Sequence, residues 1–181
     1  MSKRSDSGFT LVEMLIVVAV IGIIAAIAVP GLLRARIAAN EASAIGSMRV
    51  LNSSQQAYMA TCGNGFFASD LTILGDPAPT GDGFISPDLA AAITVTKSGY
   101  ILTMAEGSEA LGASRDGCNP SGTAANLFSS YYATNQPVTG GMSGTRWFFT
   151  NALGTVFVSD TDDFDAEDIG NAPPSVGAAL Q

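Results

Sequence analysis

Glu13 poses the sharpest chemical question in this chain. No charged residue follows it from Met14 to Leu33, and Phe9, Leu11 and Val12 stand before it. A carboxylate near the centre of a helix in lipid costs about 2.5–3.5 kcal/mol on insertion scales, so such a group usually has a partner. Two readings fit: Glu13 lies at headgroup level and is hydrated, or a positive group is brought to it during assembly. The other candidates are Cys62 and Cys118, the two cysteines, and six acids close together, Asp160, Asp162, Asp163, Asp165, Glu167 and Asp168. Carboxylate oxygens suit a hard cation, which makes Asp160, Asp162, Asp163 and Asp165 weak candidates for calcium. Their spacing matches no EF-hand loop, and a run of like charge is more simply a solvated surface. No metal or other cofactor is assigned, and calcium stays open.

Composition removes several functions. The chain has no His, which takes away the commonest general base and metal ligand. Two cysteines without histidine cannot build a structural zinc site within one chain. Lys97 is the single lysine beyond Lys3, so a catalytic constellation is hard to assemble and the chain is read as not an enzyme. A formal net charge of −8 opposes direct binding to nucleic acid, which needs clustered Lys and Arg.

The element that carries Glu13 is an uncharged run of 20 residues, Met14 to Leu33, rich in Val, Ile and Ala. As a helix it spans roughly 30 Å, the thickness of a bilayer's hydrocarbon core. A secretory signal peptide is one reading, with Ala25-Ala26-Ile27-Ala28 as a cleavage-like stretch, but its apolar region would be shorter. A plain membrane anchor is another. Lys3 and Arg4 before the run and Arg34 and Arg36 after it leave the orientation ambiguous. The third depends on the residues at its edge.

Gly8-Phe9-Thr10-Leu11-Val12-Glu13, followed by Met14-Leu15-Ile16-Val17-Val18 and by Pro30, closely resembles the class III signal of type IV pilins and type II secretion pseudopilins. The resemblance covers residues 1 to about 60. It implies cleavage between Gly8 and Phe9 by an inner-membrane prepilin peptidase, then N-methylation of the new Phe9 amine by the same peptidase/methyltransferase. It implies a single-pass inner-membrane precursor, an inner-membrane assembly platform as partner, and a homopolymer built through the N-terminal helices. In the family the glutamate is thought to meet the amine of a neighbouring subunit, which makes Phe9 and Glu13 the assembly residues. A misdocked subunit would leave one charge buried alone, so the pair would act as a register device.

Gly22, Pro30 and Gly31 weaken helix, proline by losing a hydrogen bond and clashing with the preceding turn. Lipid-embedded helices tolerate such a kink. The resemblance implies loss of helicity between Gly22 and Pro30 in a filament and retention in the membrane-bound monomer.

Leu33, Ile37, Ala44, Ile45, Met48, Leu51 and Tyr58 recur at steps mostly of three, four or seven, which predicts an amphipathic helix packing on a globular head. Asn40, Glu41, Ser43, Arg49, Asn52 and Ser53 fall largely elsewhere around it. The helix should stop near Cys62-Gly63-Asn64-Gly65. Gly75 to Gly83 is dense in turn formers, and Ser86-Pro87 reads as a short helix start. Strands are predicted at Gly99–Met104, Leu127–Ala133, Arg146–Thr150 and Thr155–Val158, the last two joined by Asn151–Gly154. Trp147, Phe148, Phe149 and Phe157 are read as core and cross-strand packing.

Cys62 and Cys118 lie outside the cytoplasm if the head is exported, where disulfides persist. A bridge would close a loop of roughly 57 residues and contribute roughly 4 kcal/mol in the chain-entropy model; two free buried thiols are the alternative.

The expected fold is α+β and pilin-like, a long N-terminal helix packed on a small antiparallel sheet. Its parts are a cleaved leader (1–8), an apolar membrane and polymerisation helix (9–33), an amphipathic helix (34–62), a connecting loop region (63–99), a β-sheet head (100–159) and an acidic, mobile C-terminal tail (160–181). The expected function is a structural subunit of a type IV pilus serving adhesion, motility or DNA uptake. The alternative is a major, calcium-binding pseudopilin of a type II secretion system. The assembled form would stand at the cell surface or, as a pseudopilus, in the periplasm.

Overall fold

The computed structural model describes residues 8–79, 81–107, 110–161, 164, 173–174 and 177–180. The chain forms two compact units, Met1–Arg36 and Ile37–Gln181. Helix α1 (Leu11–Thr61) contributes to both, with Pro30 inside it.

In the first unit every described residue is exposed, from Gly8 to Arg36. Side chains that would form a core elsewhere, such as Leu15, Ile21, Ile27 and Leu32, are 59–77% exposed. The helix continues through Gly22, Pro30 and Gly31.

The second unit is an α+β head. Strands β2 (Thr94–Lys97), β3 (Tyr100–Glu106), β5 (Tyr131–Pro137), β6 (Trp147–Asn151), β7 (Val156–Ser159) and β8 (Ala178–Ala179) form an antiparallel sheet in that order. A second, two-stranded sheet pairs β1 (Phe67–Ala68) with β4 (Leu127–Phe128). Between them in sequence, the short helix α2 (Leu71–Gly75) is capped by Asp70, whose carboxylate accepts from the Thr72 and Ile73 amides at 2.8 and 3.3 Å.

Alternation in β3 and β5 turns Tyr100, Leu102, Met104, Tyr131 and Ala133 inward, where they meet Ala44, Met48, Leu51 and Tyr58 of α1. The apolar stripe is therefore the buried face from Ala44 onward, with Ile45 partly buried. Leu33 is exposed and lies in the first unit, and Ile37 is half-buried. Glu41 and Asn52, expected elsewhere around the helix, are on the buried face at 5% and 7% exposure. They are there because the head supplies partners. Asn52 Nδ2 donates to the Gly154 carbonyl at 2.8 Å, and its Oδ1 accepts from the Tyr131 hydroxyl at 3.0 Å. Gln55, fully buried, exchanges two hydrogen bonds with the backbone of Ala68, at 2.8 and 3.1 Å. A periodicity count of apolar residues cannot register polar groups that are paired across the chain.

Three further boundaries differ from expectation. The sheet extends beyond 100–159 at both edges. On one side Thr94–Lys97 pairs with β3 through the turn Ser98-Gly99, both residues at positive φ, the conformation a two-residue hairpin needs. On the other, Ala178–Ala179 pairs with β7 and the Leu180 amide donates to Val156, so these residues of the tail belong to the sheet. The strand predicted at Leu127–Ala133 is split: Leu127–Phe128 joins the small sheet and Tyr131 opens β5, because the Ser129 amide turns to Leu111 and the Ser130 carbonyl to Gly107. The helix predicted after Ser86 is one turn, with the Leu89 and Ala90 amides both on the Ser86 carbonyl.

The aromatic cluster is also divided. Phe148 faces α1 and packs on Tyr100, ring centroids 5.7 Å apart. Phe149 faces the opposite side of the sheet yet is 1% exposed, covered by Tyr132, Phe157 and Phe164. The head thus has a small second core on its outer face.

Candidate functional site

The candidate site begins at the N-terminal edge of α1. Thr10 is the last residue before the helix, and Glu13 stands in its first turn. The Thr10 amide and hydroxyl both donate to Glu13 Oε2, at 2.9 and 2.6 Å, and the Glu13 amide lies 3.3 Å from Thr10 Oγ1. This is a reciprocal capping box, Thr-x-x-Glu, which satisfies amides that the first turn leaves unpaired. A carboxylate there also faces the positive end of the helix dipole. Glu13 is therefore held within its own subunit, near the chain position where Gly8 meets Phe9. The spacing that reveals the cap was visible in the sequence, but attention to Glu13 as a partner for a neighbouring amine passed over its nearest donor, Thr10.

Phe9 is 77% exposed, and a Cβ built on Gly8 or Gly22 would meet nothing within 4 Å. The helix is long and apolar enough to cross a membrane. Residues 3–29 match the prokaryotic N-terminal methylation motif. The motif lies across the Gly8–Phe9 junction and the start of the apolar helix, so the resemblance seen in Gly8 to Glu13 holds. Neither a curated protein nor a solved structure matches the chain. The methylation motif supports a type IV pilin or pseudopilin subunit, a structural class rather than an enzymatic one. It implies processing by prepilin peptidase and entry into a polymer, and with the apolar helix it fits a single-pass inner-membrane precursor.

Cys62 and Cys118 are joined by a disulfide, so the two-thiol alternative falls. The bridge ties the end of α1 to the loop before β4. Asp160 is exposed in a bend after β7. Asp162, Asp163 and Asp165, the other calcium candidates, lie outside the described residues. Among the described residues no three metal-ligating side chains come together.

Sequence reasoning missed an ion pair that closes the head. Glu41 Oε1 accepts from the Thr145 amide and hydroxyl at 2.9 and 2.8 Å, while Arg146 Nε and Nη2 donate to Oε2 at 2.8 and 2.6 Å. Asn40 Nδ2 donates to the Ser143 carbonyl nearby at 2.8 Å. Burial alone would push the Glu41 carboxyl up, but the bonds from Thr145 and Arg146 outweigh it and hold it below the usual carboxylate range. Glu41 and Arg146 are far apart in sequence, so no local pattern announces the pair.

Proposed function

We propose that this chain is the structural subunit of a type IV pilus. Prepilin peptidase cuts between Gly8 and Phe9, the Phe9 amine is methylated, residues 9–33 hold the subunit in the inner membrane, and the head is exported. The subunits then polymerise through these helices into a surface filament for adhesion, motility or DNA uptake. The observation that carries the reading is the methylation motif on a helix whose apolar N-terminal stretch, up to Leu33, is exposed throughout among the described residues. That surface is too large to leave in water, and bilayer and neighbouring helices are the two covers suited to it in turn.

Cleavage creates an α-amino group with an unperturbed pKa of about 7.7–8.0, largely cationic at neutral pH, and methylation keeps the charge. Glu13 is its counter-charge. In the free subunit Thr10 occupies Glu13 Oε2, so docking trades or shares a hydrogen bond within one chain for an ionic contact between two. A helix arriving out of register gains no such contact and leaves Glu13 uncompensated among apolar side chains. Gly22 and Pro30 mark the stretch that loses helicity as the helices pack.

The disulfide and the largely exposed stretch from Pro77 to Ile93 favour a surface pilus over a secretion pseudopilus. Electron microscopy of sheared cell-surface material, with N-terminal sequencing of its bulk protein, tests the reading. Long fibres made mainly of this chain and beginning at N-methylated Phe9 are expected. A different N-terminus defeats the processing step; trace abundance, or fibres confined to the periplasm, moves the chain to a minor or secretion role.

A further inference from the structure

The disulfide is asymmetric: Cys62 is 4% exposed, whereas Cys118 is exposed. Cys118 lies in the wall of a surface pocket of about 610 Å³ shared with Pro77, Ala78, Asp116, Pro120 and Thr123. On the buried side, the Cys118 amide points at Cys62 Sγ from 3.1 Å, and Asn119 Oδ1 lies 3.7 Å from the same sulfur. A free thiol has one weak donor and one weak acceptor, and here an acceptor and a donor are already in place for Cys62 in its reduced form.

The loop does not depend on the sulfur bridge alone. Asn119 is 4% exposed; its Oδ1 accepts from the Tyr58 hydroxyl at 2.9 Å and its Nδ2 donates to the Ile73 carbonyl at 2.7 Å. Asp76 Oδ2 accepts from the Ser121 amide and hydroxyl at 2.9 and 2.6 Å. Gly117 and Gly122 let the backbone approach the Tyr58 hydroxyl so closely that a Cβ at either would fall within 2.8 and 2.3 Å of it. None of these contacts is made by a sulfur: Tyr58 holds Asn119 from the end of α1, and Ile73 and Asp76 hold Asn119 and Ser121 from α2 and its C-cap.

We propose that Cys118 is a thiol-exchange site, taking a small thiol or a partner protein's cysteine as a mixed disulfide while Cys62 stays as a protonated thiol in the core. The incoming thiolate attacks Cys118 Sγ from the pocket. A sulfur–sulfur bond forms to Cys118 as the Cys62–Cys118 bond breaks. The electron pair leaves on Cys62 Sγ, steadied by the Cys118 amide, and that sulfur takes up the proton the incoming thiol gave to solvent. One disulfide replaces another, so no further oxidant or reductant is needed. Exchange rates depend on which sulfur is accessible and on how well the departing thiolate is accommodated, and both favour attack at Cys118. The inference does not rest on the pilus reading.

The test uses the full chain in detergent micelles, treated with reduced glutathione. Iodoacetamide is added under native conditions, then N-ethylmaleimide after denaturation, and the labels are mapped by mass spectrometry while circular dichroism follows the fold. The expected result is glutathione on Cys118, N-ethylmaleimide alone on Cys62, and an unchanged spectrum. Glutathione on Cys62, native alkylation of Cys62, or an adduct that forms only as the spectrum collapses overturns it. Ala78→Trp, which adds bulk to the pocket lining, should slow adduct formation about fivefold with the thermal midpoint unchanged, consistent with access-limited exchange. An unaltered rate in that variant overturns attack from the pocket.

Discussion

The apolar segment and the head solve opposite problems with the same helix. Residues 9–33 have an ordered backbone and bury nothing; the described hydrogen bonds of their side chains are those of the Thr10–Glu13 cap. From Glu41 to Tyr58 the helix buries nine residues, and four of them, Glu41, Asn52, Ser54 and Gln55, are polar side chains bonded to groups outside the helix, Ser54 to the Phe84 carbonyl. One half is specified by what it lacks, the other by contacts far away in sequence. The first is complete only in a second environment, while the second is complete in one chain. Damage to the first should therefore register in assembly, and damage to the second in stability.

The largest effect expected is at Glu13. If Glu13 is the counter-charge proposed for the Phe9 amine, Glu13→Gln should reduce sheared filament yield by an order of magnitude or more, with the head's melting temperature unchanged. Thr10→Val should lower yield less, and Thr10→Ser, which keeps the hydroxyl acceptor and donor, should restore it. Normal yield from Glu13→Gln would break the comparison at its root, because the segment would then hold no assembly information in its one acid. The next effect lies in the head. Replacing both cysteines by serine should destabilise it by roughly 4 kcal/mol in the chain-entropy model, read by denaturant unfolding, with membrane insertion intact. A change under about 1 kcal/mol would mean that the unfolded chain is already restrained enough for the bridge to remove little of its entropy.

The two regions also differ in how far a sequence reveals them. The N-terminal features sit within a few positions of each other: Gly8, Phe9 and Glu13 are legible through their resemblance to the class III signal, the Thr10–Glu13 spacing is that of a cap, and the uncharged run announces itself. Sequence also yielded the fold class, the face of α1 from Ala44 to Tyr58, and the main strands, because these follow from periods of 3.6 and 2. It did not yield Glu41–Arg146, Asn52–Tyr131 or Gln55–Ala68, whose partners are separated by 105, 79 and 13 positions. Nor did it separate Phe148 from Phe149: neighbours in a strand must face opposite ways, but nothing local says that Phe164 returns to cover the outer one. Thr94–Lys97 was hidden because a four-residue edge strand looks like loop until its partner is known, although Ser98-Gly99 was a turn signal in plain view.

The Glu41 pair sharpens the comparison through pH. Its carboxyl is held below the ordinary value of 4.5, so the folded state binds its proton less readily than the unfolded chain does. The pair's contribution is complete above pH 4.5 and is lost as pH falls through the depressed value. The head's melting temperature should drop on acidification below that point, and Glu41→Gln should flatten the drop. At the alkaline end, burial first, then Asp76 for Tyr58 and Glu41 for Tyr100, pushes both hydroxyls up to about 12. Stability should therefore fall as pH rises from 10 toward 12, since the unfolded chain ionises these groups first. At neutral pH, Arg146→Met should cost about 2 kcal/mol, less than a fully buried pair because the arginine side chain is 38% exposed. An acid limb identical in Glu41→Gln and the parent would assign that transition to other carboxylates.

The smallest effect expected tests whether the chain's end belongs to the head at all. Phe164 stacks on Phe149 with ring centroids 5.2 Å apart and planes within 19°, and Gly177 packs beside it as the chain returns to β7. An aromatic pair of this kind contributes about 0.5–1.5 kcal/mol beyond the area it covers. Phe164 is only half-buried, so Phe164→Ala should destabilise the head by about 1 kcal/mol. The same substitution should raise amide exchange in Ala178–Ala179, whose two-residue pairing with Phe157 and Val158 is too short to persist unsupported. Phe164→Leu, which keeps an apolar cover but loses the stack, should fall between parent and alanine. If exchange in β8 stayed unchanged while stability fell, the strand would be anchored by Leu180, whose amide reaches Val156 at 2.8 Å, and the outer core would end at Phe164 instead of drawing the terminus in.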